Sequence, residues 1–322
     1  MVAVSVIIPF YNVAPFIRRC AESLMAQTLQ DVEFIFVDDA SPDGSRKILE
    51  EVLAANPGRN ARILTHEANR GLPAARNTGL AEASGDFIFH CDSDDWTEPR
   101  MLEKLYAAAV RDGADFVYCD FILDFGNGGR YMHNPTFTDP AALLKDGFLA
   151  GTTKYNVWNK LVRRELYRGI SFPEGHAMGE DMTMIMVAAQ ASRAAHVPEA
   201  LYHYVKLNTG AYSQTFSQKH LEDIRFNVER VARFLEDGDA AGIDRHIGYF
   251  KLNVKLPFLL SNDPAQYDLW RQWYPEADRY AMENKALPFR TRLLQWCAAK
   301  GLFRVVKLYG ILVEKLYCLL YK

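Results

Sequence analysis

Three aspartates sit together in FIFHCDSDDW, where an apolar run ends in Asp92, Asp94 and Asp95. Carboxylates at i and i+2 just past a strand can converge on one point, and a divalent cation there relieves their repulsion. Mg²⁺ or Mn²⁺ suits such a seat: each takes hard oxygen ligands and uses one or two carboxylates, with phosphate and water completing its shell. Asp92 and Asp94 are therefore candidate ligands for a cation carrying a diphosphate. A lone D-x-D recurs by chance about once in a chain of this size, so position gives it meaning. The competing reading is a solvated loop leading into TEPRMLEKL, with Asp95 as the helix cap. His90 and Cys91 alternate across the strand and belong to the core or behind the ligands. A second acidic pair, Glu180 and Asp181, precedes the helical run MTMIMVAAQ. A helix's first turn favours such a pair even without chemistry.

The elements that must position these groups follow from periodicity. VSVIIP, VEFIFVDD, ARILTH, DFIFHCD and DFVYCDF read as strands, and SRKILEEVLAANPG and LPAARNTGLAEASG between them carry helical spacing. Strands apolar on both faces and joined by helices imply a doubly wound α/β domain whose ligands lie beyond the carboxyl ends of the strands. Those ends supply Pro9, Tyr11 and Asn12, then Asp38 and Asp39, then His66 to Arg70, then Asp92 to Asp95. In SPDG, Ser41 or Asp43 is available as a helix cap. The glycine-rich DFGNGGRYMHN reads as part of a hairpin over 118 to 134; without a VAIK strand or HRD loop its DFG triplet is no kinase signature. Beyond about Lys219 helical segments dominate.

Composition narrows the classes. The 322 residues exceed one compact domain, and 37 Lys and Arg against 40 Asp and Glu give a net charge of -3, which does not call for nucleic acid. Five scattered cysteines without a CxxC pair argue against a disulfide framework or structural zinc and favour a reducing cytoplasm. MVAVSVIIPFYN, broken at Pro9, reads as a first strand rather than a leader or a span.

VSVIIPFYN, FIFVDDASPDGS, NRGLPAARNTGLAEASGDFIFHCDSDDW, VWNKLVRREL and GEDM occur in the order found in the inverting glycosyltransferase family 2, and the chain resembles that family over residues 1 to about 215. The resemblance implies a GT-A fold, mostly parallel in its central sheet and followed by a C-terminal helical region. It also implies a nucleoside-diphosphate sugar donor, with a UDP-sugar expected, and Mn²⁺ or Mg²⁺ as cofactor. Residues 1–218 would form the transferase domain, about 1–117 holding the donor and 118–218 the acceptor, and 219–322 the helical region. Backbone near Pro9 and the ring of Tyr11 would hold the base, and Asp39 would accept from a base N–H. The alternatives are a core tyrosine and an Asx turn. Asn69 and Arg76 would contact the nucleotide, and Asp92 and Asp94 would bracket the ribose and the metal, Asp94 coordinating it more directly; Arg76 can equally pair with Asp92. Gly71 would permit a tight backbone turn into the helix.

The family's Glu-Asp motif implies Asp181 as general base, with Glu180 orienting it or the acceptor. Trp158 and Lys160 would line the acceptor side, stacking on a sugar and reaching a phosphate or hydroxyl; core packing is the other reading of Trp158. His203 and Lys206 stand where the family often has an arginine-rich strand, a departure that leaves phosphate contacts there open. The expected acceptor is a glycan or lipid-linked glycan at the inner face of the cytoplasmic membrane. KGLFRVVKLYGILVEKLYCLLYK, residues 300–322, reads as a basic amphipathic helix for a membrane surface, or for packing on the domain or on another protomer of a homo-oligomer. Two rival functions are a sugar nucleotidyltransferase, for which no glycine-rich triphosphate loop is found, and a binding module, which would not need both Asp94 and Asp181.

Overall fold

The computed structural model describes residues 2–208, 217–238, 242–261 and 263–320, with side chains as far as residue 311. Strands β1 (Val4–Phe10), β2 (Val32–Asp38) and β4 (Phe87–His90) are buried along their whole length, which is why their sequences lack the alternation of a half-exposed strand. β3 (Asn60–Thr65) has no fully buried residue and lies at the sheet edge. The pairs β2–β3, β1–β2 and β1–β4 are all parallel. The carboxyl ends of these neighbours therefore share one edge, bringing together residues far apart in sequence. Helices α1 (Ala14–Met25), α2 (Ser45–Ala54) and α3 (Leu72–Glu82) make the crossovers. α3 presses closely on β1, since a Cβ at Gly79 would stand 2.4 Å from Ile7 Cγ2.

The next elements are β5 (Trp96–Thr97), α4 (Met101–Asp112), β6 (Phe116–Asp124), β7 (Gly129–Met132), α5 (Pro140–Ala142), β8 (Lys160–Arg163), α6 (Thr183–Ala189) and β9 (Ala194–Val205). The nine-stranded sheet runs β3-β2-β1-β4-β8-β6-β9-β5, with β7 paired to β6. β8 is antiparallel to both β4 and β6, whereas β9 is parallel to β6 across an irregular register at Cys119–Phe121. Parallel pairing thus governs the first four strands and mixed pairing the rest. β6 and β7 form the hairpin expected around DFGNGG.

The chain packs as two compact units, Met1–Leu143 with Tyr155–Val231, and Leu144–Lys154 with Ala232–Lys322. Its later helices are α7 (Gln218–Asp237), α8 (Ile243–Leu260), α9 (Pro264–Gln272), α10 (Phe289–Ala299) and α11 (Phe303–Leu320). Within the second unit the buried Lys255 ammonium lies 4.1 Å from the Trp270 ring centroid and 2.6 Å from Asp278 Oδ1, so this core holds a paired charge. Among the described residues no helix is long and apolar enough to cross a membrane.

At the end of the sheet opposite the aspartates, Glu33 ties three segments together. Its Oε1 accepts from Ser5 Oγ at 2.6 Å and Ser84 N at 2.7 Å, and its Oε2 meets Arg62 Nη1 at 2.7 Å. Burial works to raise its pKa, but these hydrogen bonds outweigh burial and hold the carboxyl at about 2 against an ordinary 4.5. The folded value is depressed, so its stabilising contribution is complete above pH 4.5 and drains away as pH falls toward 2. Glu33→Gln is expected to cost about 1.5–3 kcal/mol at pH 7. In urea melts the variant and wild type should converge as the pH is lowered; an equal gap at pH 7 and near pH 3 would refute this role.

Candidate active site

The loops after β1 and β2 brace each other. Asn12 and Ala40 adopt left-handed backbone at φ 54° and 58°, and Asn12 N donates to Ser41 Oγ at 2.7 Å. Asp43 Oδ2 accepts from Ala14 N at 2.9 Å and Oδ1 from Ser45 N at 3.0 Å. The N-cap position of α2 is Gly44, so neither Ser41 nor Asp43 occupies it; Asp43 nevertheless accepts the first N–H of α2 as well as that of Ala14 in α1, while Ser41 braces the loop before α1. Pro9 is buried in β1 opposite Val37, and Tyr11 emerges beyond it, 46% exposed. Asp38 makes the Asx turn, its Oδ1 accepting from Ser41 N at 2.8 Å.

Asp39 does something else. Its two oxygens accept from Arg70 N and Gly71 N, each at 2.8 Å, and Oδ1 also lies 2.6 Å from His66 Nδ1. Gly71 is the N-cap of α3 at φ 88°, a conformation that glycine adopts without a Cβ penalty, so the carboxylate sits on the free N–H groups where the helix begins. His66 Nε2 reaches Thr78 Oγ1 at 2.9 Å, fixing the ring from the far side. Asn69 is exposed on this loop, and Arg70 pairs outward with Glu174 at 3.1 Å.

Five residues further along α3, Arg76 is 1% exposed and holds both acidic groups. Nη2 donates to Asp92 Oδ1 at 2.8 Å and Nε to Glu180 Oε1 at 3.0 Å. One guanidinium thereby joins the end of β4 to the 3₁₀ turn Glu180–Met182 before α6, across 104 residues of sequence to Glu180. Its fork geometry, with donors fixed in a plane, makes that possible. Burial raises the pKa of Glu180 well above 4.5, and repulsion from Asp181 adds to it while Arg76 opposes. Asp181 is raised too, by burial first; Arg76 pulls against that shift, and Asp92 adds to it. Unlike Glu180, Asp181 keeps part of its surface open to solvent. Behind Arg76, His90 packs edge-on to Phe172 at 5.1 Å with both ring nitrogens unpartnered, and burial followed by the Arg76 charge keeps it neutral.

Asp94 Oδ2 accepts from Asn208 Nδ2 at 2.8 Å, and burial followed by the nearby Asp92 charge raises its pKa. Asp95 is not a helix cap, because its Oδ1 accepts from Val205 N at 2.8 Å and its Oδ2 from Tyr202 OH at 2.7 Å, pinning the loop to β9. The Tyr202 hydroxyl also accepts from Asp92 N at 3.1 Å. Trp158 is 5% exposed and stacks on Tyr202 with centroids 4.6 Å apart, and so belongs to the core beneath this loop. Lys160 is buried as well, donating to Asn159 Oδ1 at 2.7 Å; burial lowers it to about 7, with Asp181 opposing. His203 stacks on Trp96 at 3.4 Å and meets Glu98 Oε1 at 2.8 Å, while the Lys206 ammonium lies 3.9 Å from the Tyr204 ring centroid.

Residues 5–185 match the family model described as glycosyl transferase family 2. The chain belongs to that family. This transferase is 32% identical to an uncharacterized glycosyltransferase, EpsJ, of Bacillus subtilis over 80% of the chain and 77% of that protein. It is 33% identical to the cholesterol galactosyltransferase of Borreliella burgdorferi over 70% of the chain and 66% of that protein. S. aureus TarS 1-349, solved in complex with UDP-GlcNAc, shares its GT-A-type fold: TM-score 0.71 at 22% identity, covering 95% of this chain and 90% of that one. The enzyme is thus a glycosyltransferase built on a GT-A-type fold with a helical C-terminal region.

Among the described residues no three His, Cys, Asp or Glu side chains cluster as a metal site within the transferase. Asp92 and Asp94 offer hard oxygen ligands from two carboxylates, a set that fits Mg²⁺ or Mn²⁺ when substrate phosphate and water complete the shell. His66 stands at its strand end in the sequence without a partner, and Tyr202 and Asn208 are site residues that sequence reasoning did not single out. Their partners, Asp39, Asp95 and Asp94, lie 27, 107 and 114 positions away, so only the closed sheet reveals them.

Proposed function

We propose that the enzyme transfers a sugar, with inversion, from a UDP-sugar to a hydroxyl of a glycan or lipid-linked acceptor. Residues 1–117 hold the donor, residues 118–218 form the acceptor side and residues 219–322 the helical region. The observation that carries the reading is the buried Arg76 fork, which fixes Asp92 and Glu180 around one guanidinium. The base packs on the exposed Tyr11 ring beside Pro9, and Asp39 receives a base N–H through the lone pair left on Oδ2 once Arg70, Gly71 and His66 are served. Asn69 and Arg76 border the nucleotide. The UDP-GlcNAc complex of TarS, alike in fold, supports a uridine nucleotide.

Asp94, with Asp92, would hold Mn²⁺ or Mg²⁺, which neutralises charge on the departing diphosphate. Asp181 takes the proton of the acceptor hydroxyl as its oxygen bonds to the anomeric carbon and the bond from that carbon to the diphosphate breaks. Glu180, held by Arg76, orients the base. Trp158 and Lys160 shape the acceptor side from behind, because both are buried. The test is release of UDP from a panel of UDP-sugars with Mn²⁺ and candidate acceptors. Chelation should lower turnover about a hundredfold and added Mn²⁺ restore it, with Asp94→Ala failing to recover. Undiminished transfer under chelation, or pyrophosphate release in place of UDP, would overturn the proposal.

A further inference from the structure

The second unit carries a surface that combines cationic and exposed apolar side chains. Between Glu283 and Glu314 the sequence holds Lys285, Arg290, Arg292, Lys300, Arg304 and Lys307 and no acid at all, in a chain whose net charge is -3. This basic block coincides with exposed apolar side chains. On α10, Phe289, Leu293 and Trp296 are 59%, 40% and 38% exposed, at i, i+4 and i+7, so they form one stripe. Lys300 continues that stripe past the helix end, while Leu294, Cys297 and Ala298 turn inward. On α11, Leu302 at its approach and Val305 and Leu308 within it are 44%, 51% and 58% exposed, with Arg304 and Lys307 exposed among them and Val306 fully buried. α10 and the described first turns of α11 therefore spend one face on the core of their own unit and present a second that is apolar and cationic.

We infer that α10 and the first turns of α11 form a docking surface for an anionic lipid bilayer. Charge complementarity decides the occupant. A groove for an apolar peptide has no need of six cations, and a second copy would set this basic face against an identical one. A phosphate-rich surface is attracted by those cations while Phe289, Trp296 and Leu308 enter the boundary between headgroup and acyl chain, the arrangement of a helix lying in the interface plane. No described helix is a span, so attachment would be peripheral. The sequence expectation of a basic helix over 300–322 is thereby widened to α10, whose aromatic stripe supplies the apolar part. Side chains beyond residue 311 lie outside the described residues.

The inference stands apart from the choice of donor sugar and is tested without turnover. The full chain is pelleted with sucrose-loaded vesicles of phosphatidylglycerol and phosphatidylcholine, and with phosphatidylcholine alone. Binding is expected to the anionic vesicles, weakening as salt rises. Lys300→Gln/Arg304→Gln/Lys307→Gln should weaken it roughly a hundredfold, and Phe289→Ser/Trp296→Ser about tenfold or more. All these positions are surface-exposed, so the circular dichroism spectrum and the urea midpoint should match wild type. Pelleting no better than with phosphatidylcholine alone, or indifference to both variants, would overturn it. So would a dimer in sedimentation velocity that is lost in the Phe289→Ser/Trp296→Ser variant without any vesicle binding.

Discussion

Asp181→Asn should lower kcat for sugar transfer by about 10²–10⁴-fold while leaving UDP affinity within a factor of about two. The amide keeps the shape of the side chain and loses only the ability to take a proton, so the deficit belongs to the chemical step rather than to donor binding. The pH profile supplies a second readout. Burial raises the Asp181 pKa above 3.8, with Arg76 opposing and Asp92 adding, and only the ionised form is a base. Turnover should therefore climb with pH through that raised value and level off above it, whereas the variant's residual rate should lack this limb. Because Glu180 titrates beside it, the limb reports the pair rather than one carboxylate. Isothermal titration with UDP and initial rates of UDP release separate the two effects; a variant retaining more than about a tenth of wild-type kcat would remove Asp181 from the role of base.

The sequence shows the donor half of the fold more clearly than the acceptor half, for a physical reason. β1, β2 and β4 are buried on both faces, so their apolar runs declare themselves, and parallel pairing then obliges Tyr11, Asp39 and Asp92 to share an edge. β8 has only four residues and takes its place between β4 and β6 by antiparallel pairing that no local period announces. Polar partnerships were less visible still. Nothing in LYHYVKLN indicates that Tyr202 will hold Asp95, or that Asn208 will hold Asp94. Asp95 looks like a cap because aspartate before a helix usually is one; here β9 offers a backbone N–H that the helix start does not. For Arg76 the sequence suggested a partner in Asp92, and folding added Glu180, which periodicity along α3 cannot foresee.

That second partner makes Arg76 the costliest residue of the site to lose. Arg76→Ala is expected to destabilise the protein by about 3–5 kcal/mol, because truncating one member of a buried ionic network strands the others. Glu180 would be left 4% exposed with no cation and pushed further toward its protonated form, while Asp92, more open, would lose its orientation. Transfer should fall with stability, since both acidic motifs move. Arg76→Lys is no conservative rescue: a single ammonium cannot reproduce two donors in fixed directions, one from Nε and one from Nη2. Arg76→Met combined with Glu180→Gln should recover much of the lost stability without recovering activity, because the double variant removes the stranded charge along with the fork. Urea unfolding of Arg76→Met, of Glu180→Gln and of the double variant gives the coupling directly, expected at about 1–3 kcal/mol. Additive single effects, or an Arg76→Ala protein as stable and active as wild type, would mean that the guanidinium does not bind the two motifs into one site.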